Sequence, residues 1–532
     1  MNSAVGVSPR TESEPFLKAA APGTFGAGQV SILRMALRSI LPVLLLALSG
    51  SVHSQVLTSQ NNNARTSANL HETLLTPANV NPDQFGKLFS LRVDGDVYAQ
   101  PLYLPDVEIP GKGRHNVLFV TTEHDSAYAF DAAGQPAEPL WHVSFLDSKA
   151  GVTTVPALDV RCPFLSPEVG ITPTPVIDEA TGTLYLLART KESQGFFKPD
   201  RYVQRLHALA ITTGAEKFGG PVSIEAPRFD PLRELPRAGL LLSGGQVYLT
   251  WASSCDVAPY HGWVMAYDAR TLAQTAVFNT SPGSSESGIW QADNAPAADA
   301  DGHIYVTTGN GKFDPGLDYG DSVLQLTLQG RQLAVSASFT PADQAELNAR
   351  DLDLGSGGPM LTPEGLLLAG GKDSKLYVFD HSHLAAPRQI LRTGNGIYSA
   401  PAYWNGHVYL LASGDYLQDF AITKGRLAEM PAATGWQRFG NPGATPAISA
   451  NGIRDGIVWL IETKSWNGAD RPAVLHAYNA RSIARELYDS EKNAGRDRAG
   501  KSLRFTIPTV AEGRVYVAAK GEIDVYGLLA RR

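Results

Sequence analysis

Residues 116–122 read NVLFVTT, and residues 127–131 read AYAFD. An apolar run of strand length meets a short polar break, and a second run then ends on an aromatic residue and an Asp. This pair decides the fold because it recurs. QVYLTW at 246–251 precedes VMAYD at 264–268, and GLLLA at 365–369 precedes LYVFD at 376–380. GIVWLI at 456–461 precedes LHAYN at 475–479. Looser copies start at 183 (TLYLLART), 303 (HIYVTT), 407 (HVYLL) and 514 (RVYVA). A short segment that usually holds proline precedes each copy, as at Pro101, Pro175, Pro296, Pro359, Pro401, Pro446 and Pro508.

A fixed period of about 55 residues is the signature of stacked supersecondary units that bury their faces on one another. Reading the proline segment and the two runs as strands A, B and C leaves a more variable strand D. Eight such four-stranded units make an all-β, eight-bladed β-propeller. The eighth unit stops after strand C. Residues 88–93 (LFSLRV), ahead of the first unit, supply its missing strand. Closing the ring with a strand from the opposite terminus removes the exposed edges of an open array. The propeller is expected over 86–532, with 55–85 as a lead-in rich in Asn, Thr and Ser. Only residues 341–352 (PADQAELNARDL) have helix-like composition.

Composition agrees. The chain has 532 residues, 43% of them hydrophobic and 18% charged, with 51 Gly and 35 Pro. That is apolar enough for a large core and rich enough in turn residues for many short strands. A net charge of −7 without a basic block argues against a nucleic-acid surface. Two cysteines cannot build a four-cysteine zinc site.

Residues 1–54 read as an address. From Met35 to Ser54, Arg38 precedes the apolar run 40–48 (ILPVLLLAL), and Val52 and Ser54 stand at −3 and −1 of a cleavage before Gln55. This is the pattern of a secretory signal, too short for a membrane span. Residues 1–34 are read as an over-extended start. The mature chain is therefore expected to be extracytoplasmic, periplasmic or secreted, with no transmembrane span. There a disulfide persists, and Cys162 and Cys255, both in loops expected on one face, are expected to pair.

Segments such as 170–178 (GITPTPVID), 260–268 (YHGWVMAYD) and 304–314 (IYVTTGNGKFD) resemble the repeats of the pyrroloquinoline-quinone (PQQ) propeller superfamily. That group includes quinoprotein alcohol dehydrogenases and the non-catalytic propeller lipoprotein of outer-membrane assembly. The likeness spans about residues 86–529. It implies that Asn310, in Thr308-Gly309-Asn310, is a Ca²⁺ ligand; Asp314 and Asp321, in an acidic loop set that offers oxygen ligands, are further metal candidates. It makes Trp290 a candidate floor for the quinone. The adjacent-cysteine ring of catalytic members and a haem-attachment Cys-x-x-Cys-His are both missing.

Propeller topology puts B–C turns and A-strand entries on one funnel face, where a rigid scaffold presents variable loops. Gln100, Thr172, Trp290 and Gln291 are the cofactor-binding candidates there, and Asp353 and Glu123 the catalytic ones. The leading expectation is a binding or scaffold role, with a small molecule, glycan or protein at the funnel face. The alternative is a PQQ- and calcium-dependent dehydrogenase acting on an alcohol or sugar.

Overall fold

In the first unit, the two runs that open the sequence argument form an antiparallel ladder. Val117 pairs with Asp131 and Thr122 with Ser126. Both faces of these strands are buried: every residue of Ser126–Asp131 is, and so is nearly all of Trp263–Asp268. A strand sandwiched between two neighbouring blades has no solvent face, so it reads as a continuous apolar run and not an alternating one. The structure, a computed structural model, describes residues 54–530 apart from Asp293 and residues 464–469.

Eight small sheets make an eight-bladed β-propeller. Blade 1 runs Leu102–Ile109, Gly113–Thr122, Ser126–Asp131 and Trp141–Ser144 from the axis outward. Blade 7 repeats the order with Ala447–Asn451, Arg454–Glu462, Val474–Asn479 and Ser482–Asp489. In blade 8, Thr509–Ala511 is strand A, and Arg514–Leu528 runs unbroken through strands B and C. Gly521 sits at its B–C turn with φ +68°, a conformation glycine takes without steric cost. The outer strand of blade 8 is Phe85–Asp96, longer than the expected 88–93, with Phe85 opposite Leu528 and Arg92 opposite Glu522. The ring therefore closes with a strand from each end of the chain. Across that seam, Lys87 Nζ lies 2.6 Å from Asp524.

The core lies between blades, not at one centre. Tyr103 of blade 1 packs on Tyr516 of blade 8 with ring centroids 6.3 Å apart. Phe85 and Trp459 meet across the junction of blades 7 and 8 at 5.5 Å. Each such ring is fully buried, a gain of about 1.5–3 kcal/mol per side chain. Among the described residues, α-helix is confined to Gln344–Ala349 and two single turns, Ala157–Val160 and Ala494–Asp497.

The lead-in segment sits inside the ring. Val56 pairs with Tyr103 of blade 1, and the Leu57 carbonyl accepts the amide of Ile177 in blade 2. The Asn63 side chain donates to Leu242 O of blade 3, and its carbonyl accepts from Ala298 of blade 4. The carbonyls of Ala64, Thr66 and Ser67 accept from Leu361, Tyr403 and Ile448 of blades 5, 6 and 7. Asn69 and Glu72 finish on Val510 and Gly513 of blade 8. The A strands are edge strands facing the channel, and a buried N–H there must find an acceptor. Residues 56–72 supply one to blade after blade, as a strap on the inner wall. Arg65 is its pin: fully buried, it donates to Pro296 O, Thr58 Oγ1 and Ser59 O at 2.9, 2.9 and 2.8 Å. Burial lowers its guanidinium to about 9. The signal expected from Met35 to Ser54 lies outside the described residues except for Ser54, which is buried.

Candidate functional site

Cys162, in the long connection from blade 1 to blade 2, is bonded to Cys255 in the B–C loop of blade 3, with Cα atoms 5.4 Å apart. The disulfide forms one lip of a cavity of about 480 Å³ on the funnel face. Trp290 lies in the lining, braced edge-on by Tyr260 at 6.3 Å.

One wall carries two guanidiniums. Arg237 and Arg504 both lie over the Phe505 ring, at 5.1 and 5.8 Å. Arg237 also covers Tyr98, and Arg504 covers Phe164 at 4.9 Å. Burial lowers the Arg504 pKa, and the like charge of Arg237 lowers it further. These cations stack on aromatic faces.

The other wall is acidic. Lys372 Nζ lies 2.5 Å from Asp353 and 2.8 Å from Asp351. Burial pulls the Lys372 ammonium down, but Asp353 and Asp351 outweigh it and hold it above the ordinary lysine value. Asp353 Oδ1 accepts the Asn310 backbone N–H at 2.7 Å, and Asp351 Oδ1 accepts the Asn310 side-chain amide at 2.6 Å. Asn310 Oδ1 is buried and has no hydrogen-bond partner. Asp256 is raised to about 6 by burial and then by Asp353. Gly309 makes the corner possible, since a Cβ there would run into Asp353 and the Trp290 ring.

The expected site residues separate into groups. Trp290, Asn310 and Asp353 come together in or against this cavity. Asp314 stands in a small hairpin, held by Lys312 at 3.0 Å and outside the cavity lining. Asp321 is buried behind it and spends both oxygens on protein donors, the Leu354 N–H and the Gln344 amide, each at 3.2 Å. Burial raises it to about 7. Gln291 is fully buried beneath Trp290, where its side-chain oxygen accepts the Thr307 N–H at 3.1 Å. Gln100 faces the strap, accepting the Gln60 N–H at 2.9 Å.

Glu123 and Thr172 lie elsewhere. Glu123 lines a polar groove of about 690 Å³ at the seam of blades 8 and 1, with Asp94, Asp96, Glu168 and Lys520. Its Oε2 accepts the Gly170 N–H at 2.7 Å and the Thr172 hydroxyl at 3.1 Å, while Oε1 is buried without a partner. Burial raises Glu123 to about 7. The two catalytic candidates, Asp353 and Glu123, thus occupy different cavities.

Sequence reasoning missed Arg237, Arg504, Phe505 and Asp256. Tyr98, Arg237, Trp290, Tyr398 and Arg504 all stand just ahead of an A strand. Large side chains at that repeat position, earlier than Gln100 and Thr172, are the signal that finds the wall.

Comparisons with known proteins agree with this architecture. A europium-containing methanol dehydrogenase superposes with a TM-score of 0.58 at 12% identity, covering 89% of this chain and 98% of that one. The quinohemoprotein alcohol dehydrogenase ADHIIG from Pseudomonas putida HK5 superposes with a TM-score of 0.55 at 13% identity, covering 90% and 81%. No protein-family model and no curated protein matches the sequence. The chain thus shares its fold, an eight-bladed β-propeller, with these two dehydrogenases.

Proposed function

We propose that the funnel cavity binds a small, flat, negatively charged molecule, and that this binding, outside the cytoplasm, is the protein's function. One observation carries the reading. Two stacked guanidiniums and the Trp290 ring converge on a single cavity of about 480 Å³. Ligand sites combine an apolar or aromatic lining with a few placed polar groups, and arginine forks suit carboxylates. The Cys162–Cys255 bond supports an oxidising compartment, and no described helix is long and apolar enough to cross a membrane.

A second reading, a PQQ- and calcium-dependent dehydrogenase acting on an alcohol or sugar, is favoured by the unpartnered Asn310 Oδ1. It is buried in a loop cluster with the carboxylates of Asp351 and Asp353. An amide oxygen with carboxylates is a donor set that fits a hard cation such as Ca²⁺. In that reading Asn310 would be a ligand of the ion, Trp290 would support the quinone face, and Arg237 and Arg504 would take its carboxylates. Bound PQQ would supply the two-electron acceptor. Asp353 would serve as the base for a substrate hydroxyl, with Lys372 orienting its carboxylate.

Calorimetry with PQQ as the flat tricarboxylate, with and without Ca²⁺, tests both readings. Binding that needs no Ca²⁺ and is lost in Arg504→Ala supports the binding role. Binding that needs Ca²⁺ and is lost in Asn310→Ala supports the dehydrogenase. No binding at roughly 100 µM, an affinity weaker than about −5.5 kcal/mol, removes PQQ from both.

A further inference from the structure

The middle strands of blade 2 outgrow their blade. Thr183–Glu192 and Arg201–Ala210 pair from Thr183 with Ala210 to Glu192 with Arg201. Val152–Pro156 flanks the last rungs, with Thr154 opposite Thr190 and Val152 opposite Glu192. A three-stranded ledge therefore extends the blade on the funnel side. Charge locks its base. Lys191 Nζ lies 2.8 Å from Asp159 and 3.2 Å from Asp200, the Tyr202 hydroxyl donates to Asp159 at 2.8 Å, and Arg205 pairs with Glu192 at 2.6 Å.

The tip of this braced ledge is apolar. Phe196 and Phe197 are 97% and 96% exposed, with ring centroids 5.3 Å apart and edge to face. Leu158, beside Asp159 at the base, is 89% exposed. Large side chains this exposed and this close together mark a surface that something covers.

The charges around the tip indicate what covers it. Lys149, Arg161, Lys198 and Arg201 are exposed there and join no ion pair among the described residues. The turn that carries Lys149 abuts the tip, since the Ser193 N–H donates to Gly151 O at 2.9 Å. The neighbouring acids are engaged. Asp159 and Asp200 serve Lys191, Glu192 serves Arg205, and Asp147 accepts the backbone N–H groups of Lys149 and Ala150. The aromatic tip thus wears a basic collar.

We propose that this ledge is a membrane anchor, and that Phe196 and Phe197 at its tip insert into the interfacial layer of an anionic bilayer. Aromatic rings favour that layer, and lysine and arginine beside it are drawn to anionic headgroups. A convex tip suits a bilayer better than a protein, which would have to offer a matching cavity.

The test is vesicle flotation with the chain from Ser54 onward. It lies within Val52–Arg532, a contact unit of its own, holds both strands of the ring seam, and lacks the apolar run 40–48. It should float with phosphatidylcholine vesicles containing roughly one-third phosphatidylglycerol and bind pure phosphatidylcholine more weakly. Phe196→Ser/Phe197→Ser should lower partitioning roughly tenfold or more at an unchanged unfolding midpoint. Lys198→Glu/Arg201→Glu should erase the preference for the anionic lipid. The proposal is overturned if the wild-type chain does not float with anionic vesicles, or if the double serine variant floats equally well. A tip whose mutation abolishes self-association while leaving flotation unchanged would belong to a second copy, which also overturns it.

Discussion

Lys372 Nζ lies 2.5 Å from Asp353 Oδ2, and the two side chains are only 16% and 3% exposed. The pair joins the B–C turn of blade 5 to the entry of its own A strand, at the acidic wall of the funnel cavity. Removing one partner of a buried ion pair leaves an uncompensated charge and costs about 3–5 kcal/mol. Lys372→Met should therefore destabilise the protein by about that much in urea titrations, and Asp353→Asn/Lys372→Met by clearly less. If the losses of Lys372→Met and Asp353→Asn alone simply add in the double variant, the pair is not coupled.

Gly309 lies against Asp353 and Trp290. Gly309→Ala would push a methyl into both, and overpacking of this kind costs about 1–3 kcal/mol. The expected outcome is a modest fall in the unfolding midpoint with a changed Trp emission spectrum, because the Trp290 ring must move. An unchanged spectrum would show that the ring is not seated there.

The Cys162–Cys255 bond closes a loop with a sequence separation of 93. In the chain-entropy model, losing it costs about 4–5 kcal/mol. Cys162→Ser/Cys255→Ser should lower stability by up to this amount and weaken binding in the cavity, because the bond forms one lip. A variant that binds with full affinity would reduce the disulfide to a purely structural clasp.

Glu123 gives the protein a pH signature. Its carboxyl is raised to about 7 from an ordinary 4.5, because burial disfavours the charge. Between those values the folded state holds a proton that the unfolded chain has released, so stability falls as pH rises through that window. The loss is on the order of 3 kcal/mol once both states are ionised. Glu123→Gln keeps an acceptor for Gly170 and Thr172 without the ionisation. Its unfolding free energy should decline less than that of the wild type between about pH 5 and about pH 8. Identical slopes would place the pH dependence on other buried acids.

The blades were legible because each is pressed between two others, so that its inner strands show as apolar runs such as VMAYD and LYVFD. The disulfide was legible because topology puts both cysteines in loops of one face. The strap was not. It meets the A strands mostly through its own carbonyls, and backbone acceptors leave no trace in side-chain composition. The cavity was half legible. Asn310 stands in a recognisable motif and Trp290 at an A-strand entry, but Arg504 reaches the same cavity from blade 8, and no local pattern ties it to blade 4. The blade-2 ledge went unread because Phe196 and Phe197 lie in the turn between its two strands, outside the apolar runs that mark a blade.

The strap also acts as a counting device. Residues 56–72 meet the A strands of the eight blades in order. Propellers gain and lose blades by duplication and deletion of whole repeats, because one blade resembles the next. Here a seven- or nine-bladed descendant would throw every later carbonyl out of step with its amide. The segment thus works as a ruler for blade number.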